Sequence, residues 1–177
     1  MSVLKRVIEQ PAVIAFGANQ GDRAATIHAA ATELAAAEGV ELVAISALHE
    51  TVAVRLDAAG VAAPDPGAPA YLNAVALIRT TLTPDALLQL LHEVESDHGR
   101  VRAERWGDRT LDLDIVDFAG LRRERDGLTL PHPRAGEREF VLRPWLEVDP
   151  DAVLAGVGRV ADLADALDAR PRTGAAS

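Results

Sequence analysis

The chain predicts an α+β fold: a four-stranded antiparallel sheet with helices packed on it. Three observations predict it. Apolar periodicity alternates between two and 3.6 residues in the order β-α-β-β-α-β. That order matches the split βαβ, ferredoxin-like arrangement. The length of 177 residues, with 49% hydrophobic and 25% charged, suits a single domain with one sizeable core, spanning about residues 11–150.

The elements follow in sequence. Residues 1–10 read as a loose lead-in, and the apolar run Pro11–Ala18 reads as a buried strand. Asp22 is a helix N-cap, after which Ile27, Ala30, Ala31 and Leu34 recur at helical spacing, and Gly39 is placed at C′. Residues 40–50 read as one strand. Residues 51–70, with the run Pro64-Asp-Pro-Gly-Ala-Pro69, read as a long loop of the kind that usually binds or covers something. Tyr71–Thr80 is the next strand, and Thr83-Pro84 opens a second helix with Leu87, Leu88, Leu91 and Val94 on its apolar stripe, ending at Gly99. An arginine-rich loop, 100–109, leads into a strand at 110–118. A return segment at 121–129, a Pro-His-Pro turn and two short helices near 137–147 and 159–169 complete the chain as a C-terminal hairpin and structural cover. The last residues, 171–177, are expected to be disordered.

Composition removes several classes of function. A net charge of −9 argues against nucleic-acid binding. The absence of cysteine excludes disulfides and thiol chemistry. No apolar run approaches the roughly 20 residues that span a membrane, and no signal-peptide stretch follows the N-terminus, so a cytoplasmic protein is expected. Lys5 is the only lysine, so nearly all positive charge is arginine, which binds phosphate as a bidentate fork.

Asp112 and Asp114, two apart on a predicted strand, share one face about 7 Å apart, with Leu111, Leu113 and Ile115 on the other. Spacing alone leaves two readings open: a solvated face, or a carboxylate pair holding magnesium, which takes a few carboxylates, water and substrate phosphates. Arg100, Arg102, Arg105 and Arg109 crowd the loop just before the strand, which suits an anion, and Trp106 in that loop suits stacking on a flat ring. His132 sits between two prolines and is followed by Arg134 and Arg138. No Gly-rich phosphate loop with a Lys-Ser/Thr end is present, so arginine and metal would have to replace a backbone cradle.

The segment Arg105-Trp-Gly-Asp-Arg-Thr-Leu-Asp-Leu-Asp-Ile115 resembles the signature of the 6-hydroxymethyl-7,8-dihydropterin pyrophosphokinase family of folate biosynthesis. Gly17-Ala-Asn19 with Gly21-Asp-Arg23, Tyr71-Leu-Asn73, Gly99-Arg100, and Leu130-Pro-His132 with Arg138 and Phe140 match in family order. The resemblance implies transfer of pyrophosphate from ATP to the hydroxymethyl oxygen of the reduced pterin, with release of AMP. It implies that Asp112 and Asp114 hold two Mg²⁺ ions, and that Arg100 and Arg109 contact the phosphates and act catalytically. Glu95, Ile115, His132 and Arg138 would bind ATP with them. Thr51, Val54, Tyr71, Asn73, Trp106 and Phe140 would bind the pterin. A monomer with no nucleic-acid or membrane partner is expected. The chain departs from the family pattern at Asp108, where proline is usual, at Ala18, where serine is usual, and in a 51–70 segment that is longer and lacks an early proline. The competing readings are another magnesium-dependent phosphoryl or nucleotidyl transferase with a different acceptor, and a non-enzymatic ligand-binding module.

Overall fold

A computed structural model of the protein describes residues 8–56, 62–99, 110–125 and 127–169. The elements are β1 (Gln10–Ala18), α1 (Arg23–Ala36), β2 (Val40–Ile45), β3 (His49–Thr51), β4 (Val54–Leu56), β5 (Ala62–Pro64), β6 (Tyr71–Thr80), α2 (Pro84–Asp97), β7 (Asp112–Phe118), β8 (Arg123–Arg125), β9 (Leu128–Leu130), α3 (Glu139–Val148), β10 (Val153–Leu154), β11 (Gly158–Arg159) and α4 (Val160–Asp168). The main sheet runs β2-β6-β1-β7, every neighbour antiparallel, with β3 also pairing on β6. This is the order of the βαββαβ core predicted from sequence.

The pleat of β1 decides what each face carries. Ala12, Ile14, Phe16 and Ala18 point to one side and join Ile27, Ala30, Ala31 and Leu34 of α1 and Leu87, Leu91 and Val94 of α2 in the larger core. Val13 points to the other side, where Val75, Val116, Val141, Leu142 and Trp145 form a second core beneath α3 and α4. The sheet is therefore covered on both faces, and the short C-terminal helices are a packed layer. Both large helices start as their sequences dictate. Asp22 Oδ1 accepts from Ala25 N at 3.0 Å and Thr83 Oγ1 from Ala86 N at 3.2 Å, and Pro84 occupies the first turn.

Three local expectations are corrected. Helix α1 ends at Ala36 with Ala37 as its cap, so Gly39, at φ +78°, serves the following turn and not C′. There its carbonyl accepts from Thr81 N and Thr80 Oγ1. Residues 40–50 form two strands instead of one, because Ser46 stands in for the ladder: its amide donates to Val75 O at 2.9 Å and its hydroxyl accepts from Val75 N at 3.0 Å. The 51–70 segment contains the hairpin β4–β5, whose stem is closed by Asp65 N donating to Ala53 O at 2.7 Å.

Candidate active site

Strand register gathers the candidate residues at one end of the sheet. Gly17 of β1 lies opposite Asn73 on β6 and opposite Asp112 on β7; two residues back, Ala15 lies opposite Val75 and Asp114. A Cβ built on Gly17 would come within 3.4 Å of Asn73 Oδ1 and 3.9 Å of the Tyr71 ring. Gly17 therefore leaves a bare strip of backbone between the amide side and the carboxylate side, two strand spacings, or roughly 10 Å, across.

On the amide side, Asn73 is buried at 4% exposure. Its Nδ2 donates to Thr51 Oγ1 at 2.8 Å and to the His49 carbonyl at 3.4 Å. A carbonyl can only accept, so the amide nitrogen must face β3 and Oδ1 must face the strip. Tyr71 pairs in register with Thr51. The Val54 main chain pairs with Pro64, while its side chain lies outside the described residues.

On the carboxylate side, Asp112 and Asp114 alternate with the core residues Leu111, Leu113 and Ile115, as the period-two pattern requires. Arg138 Nη1 donates to Asp114 Oδ2 at 3.3 Å, and His132 Nε2 lies 3.8 Å from the same oxygen. The Arg134 amide donates to His132 Nδ1 at 3.1 Å, which assigns the ring proton of neutral His132 to Nε2, facing Asp114. Burial pushes His132 below the usual imidazole value; the Asp114 charge opposes this and the Arg138 charge adds to it. Phe140, 37% exposed on the first turn of α3, lies 5.6 Å below the Arg138 guanidinium. Thus Asp114, His132, Arg138 and Phe140 form one group, and Thr51, Tyr71 and Asn73 another.

Two candidates lie behind the strip. Glu95, 1% exposed on α2, accepts from Leu113 N at 2.8 Å, pinning β7 at the residue between the two aspartates. Ile115 is 3% exposed in the core under α1 and α2, so any contact it makes on the aspartate face is through its main chain. Arg100, Arg102, Arg105, Trp106, Asp108 and Arg109 lie outside the described residues.

Asp112 and Asp114 are the described residues that could hold a hard cation. They offer two carboxylates on one open face, and among the described residues no group of three or more His, Asp or Glu side chains is arranged to hold a metal. That set suits an ion that completes its shell with water and substrate phosphate, as magnesium does, and does not suit a closed protein cage.

Sequence reasoning missed three parts of the setting. Arg23 donates to Ala70 O at 2.6 Å and to Glu50 Oε2 at 2.9 Å, tying the start of α1 to both ends of the 51–70 segment beside an open cleft of about 610 Å³. Glu147 reaches from α3 to His49 and Ala47. Gly17 acts as the floor. The first two pairings join residues too far apart in the chain to leave a local signal. The third could have been found from a glycine inside a strand.

Residues 13–150 match the family described as 7,8-dihydro-6-hydroxymethylpterin-pyrophosphokinase (HPPK). A 2-amino-4-hydroxy-6-hydroxymethyldihydropteridine pyrophosphokinase of Methylorubrum extorquens is 38% identical over 145 residues, covering 82% of this chain and 86% of the relative. The Haemophilus influenzae protein of the same name is 36% identical over 143 residues, covering 81% and 84%. Among solved structures, Plasmodium falciparum HPPK-DHPS with pterin and p-hydroxybenzoate superposes with a TM-score of 0.67 at 14% identity, over 91% of this chain and 43% of that one. This chain thus spans less than half of that solved chain, and the likeness there is one of fold. On its matched residues and its full-length relatives, the chain belongs to the 7,8-dihydro-6-hydroxymethylpterin-pyrophosphokinase family.

Proposed function

We propose that this protein transfers the pyrophosphoryl group of ATP to the hydroxymethyl oxygen of 6-hydroxymethyl-7,8-dihydropterin, with release of AMP, in folate biosynthesis. One observation carries the reading. An amide acceptor and a carboxylate pair flank a bare glycine strip on the same sheet face.

The pterin lies on the Gly17 strip with its lactam and amino N–H edge toward Asn73 Oδ1, the acceptor that β3 leaves available. Tyr71 and Phe140 flank the ring, and Thr51 fixes the amide. The hydroxymethyl group then points toward β7. Its oxygen forms a bond to the β-phosphorus of ATP while the bond from that phosphorus to the α,β-bridging oxygen breaks. AMP departs with the bridging oxygen, and the hydroxyl proton is lost to solvent. Asp112 and Asp114 would hold two magnesium ions, which when bound neutralise phosphate charge and draw donor and acceptor oxygens together. His132 and Arg138 present N–H donors beside Asp114 and would bind nucleotide oxygens. Glu95 holds β7 in place from behind. Arg100 and Arg109 would supply positive charge to the phosphates and the transition state, and Trp106 would cover the pterin. No described helix is long and apolar enough to cross a membrane. A monomer acting in the cytoplasm is the simplest setting for this chemistry.

The test is direct. With ATP, magnesium and the hydroxymethyl pterin, the protein should release AMP in proportion to pterin consumed. Pterin-independent turnover, or ADP as the product, would overturn the assignment. Asp114→Ala should abolish turnover and weaken magnesium-dependent ATP binding while leaving the circular dichroism spectrum unchanged. Retained magnesium dependence would remove Asp114 from the metal site.

A further inference from the structure

Helix α3 touches both halves of the site. At its N-terminal end Arg138 meets Asp114 and Phe140 stands exposed. At its other end Glu147 reaches the connector between β2 and β3. Both oxygens of that carboxylate are used: Oε2 accepts from Ala47 N at 3.0 Å, and Oε1 lies 2.6 Å from His49 Nε2.

The connector needs such a partner. Ser46 still pairs with Val75 through its main chain and hydroxyl. The chain then leaves β6 until His49 rejoins it opposite Asn73, and within this gap the Ala47 amide has no strand neighbour. Glu147 takes that amide and the next imidazole but one. What it fixes is the point at which β3 begins. Among the described residues, the acceptors that Asn73 Nδ2 meets lie on β3: the His49 carbonyl and the Thr51 hydroxyl turn its amide oxygen toward the Gly17 strip.

We propose that Glu147 is a positioning residue for the pterin substrate: it clamps the β2–β3 connector so that β3 holds Asn73 with its acceptor facing the ligand. The proposal rests on the pyrophosphokinase reading of this site. An exposed ion pair by itself contributes little, and the pairing with His49 is partly exposed. The effect comes from geometry, since a small displacement of a recognition group costs far more in binding than in folding. It predicts a split between the two substrates, because the ATP side of the site does not depend on β3.

Steady-state KM values for pterin and ATP should be measured in four variants, well below their melting temperatures. Glu147→Ala is expected to raise the pterin KM by about tenfold, the scale of a lost hydrogen-bonded contact, with the ATP KM unchanged. Glu147→Gln keeps an acceptor for the Ala47 amide and should recover part of the loss. Adding His49→Ala to Glu147→Ala should cost little more, because the two act as one unit. Arg143→Ala is the control for α3 stability. It removes contacts to Glu139 on the same helix and to Asp168 of α4, so any change in Tm should leave the pterin KM unmoved. Equal changes in both KM values, no change in either, or the same profile in Arg143→Ala would reduce Glu147 to a structural contact and overturn the proposal. Wild-type protein that releases no AMP would instead remove the pyrophosphokinase reading, and this proposal with it.

Discussion

Gly17 has no side chain, yet its position matters more than most side chains around it. It sits in an extended strand, where glycine weakens the ladder and valine would strengthen it. Replacing Gly17 with Val should therefore hold or raise Tm. Its branched carbons would project toward Asn73 Oδ1 and the Tyr71 ring, where the Cβ alone comes within 3.4 Å and 3.9 Å. The pterin KM should rise by about tenfold or more, and paired kinetic and melting measurements would detect the opposed effects. A variant that loses both activity and stability would mean that Gly17 is needed for the strand and not for the ligand. At this scale the sequence was informative about chemistry and silent about setting. The alternation of Asp112 and Asp114 with leucines could be read directly, and the structure places both on the open face. The orientation of Asn73 could not, because it depends on acceptors more than twenty positions earlier in the chain.

Secondary-structure elements were most legible where a cap and a periodic stripe agreed. Helices α1 and α2 carry both: the buried residues of α1 are those that the spacing picked out, and in α2 Leu87, Leu91 and Val94 are buried as expected, Leu88 is only partly so, and the buried Glu95 was not on the stripe. Thr83→Ala removes one N-cap bond at the exposed start of α2, far from the strip, and should destabilise by about 1 kcal/mol. In thermal unfolding this is a loss of roughly 2–4 °C for a chain of this size, with both KM values unchanged. An altered KM would mean that α2 transmits its position to Glu95 and β7. Elements were least legible where short strands are defined by partners. The β4–β5 hairpin is three residues a side within a breaker-rich segment, and the break after β2 is bridged by a serine side chain. No periodicity over so few residues distinguishes these from loops.

The whole molecule is a sheet between two helical layers, and the buried carboxyl of Asp117 carries a cost in its stability. Asp117 lies toward the far end of β7, buried, with Oδ2 accepting from Gly120 N at 3.0 Å. Burial pushes its carboxyl above the usual value, and the Gly120 and Ala155 amides restrain the shift. Such a group binds its proton more tightly in the folded state. Between the ordinary carboxylate value, about 4, and the raised one, the folded protein holds more protons than the unfolded chain. Stability attributable to Asp117 therefore falls as pH rises through that window and is constant above it. Asp117→Asn keeps an acceptor and cannot ionise. Urea unfolding across this pH range should show the variant gaining on the wild type as pH rises; a constant difference would mean that Asp117 is not strained by its burial. The strand order has a different consequence. β1 belongs to the first third of the chain, yet it lies between β6 and β7, which belong to the rest. Severing the chain between β4 and β5 would leave Gly17 and Thr51 on one piece, and Asn73, Asp112 and Asp114 on the other. Neither piece would hold a binding surface alone, and only insertion of the first into the gap in the second would restore turnover. The architecture that assembles this enzyme from scattered segments also makes it a candidate split reporter, whose catalytic output would register the meeting of its two halves.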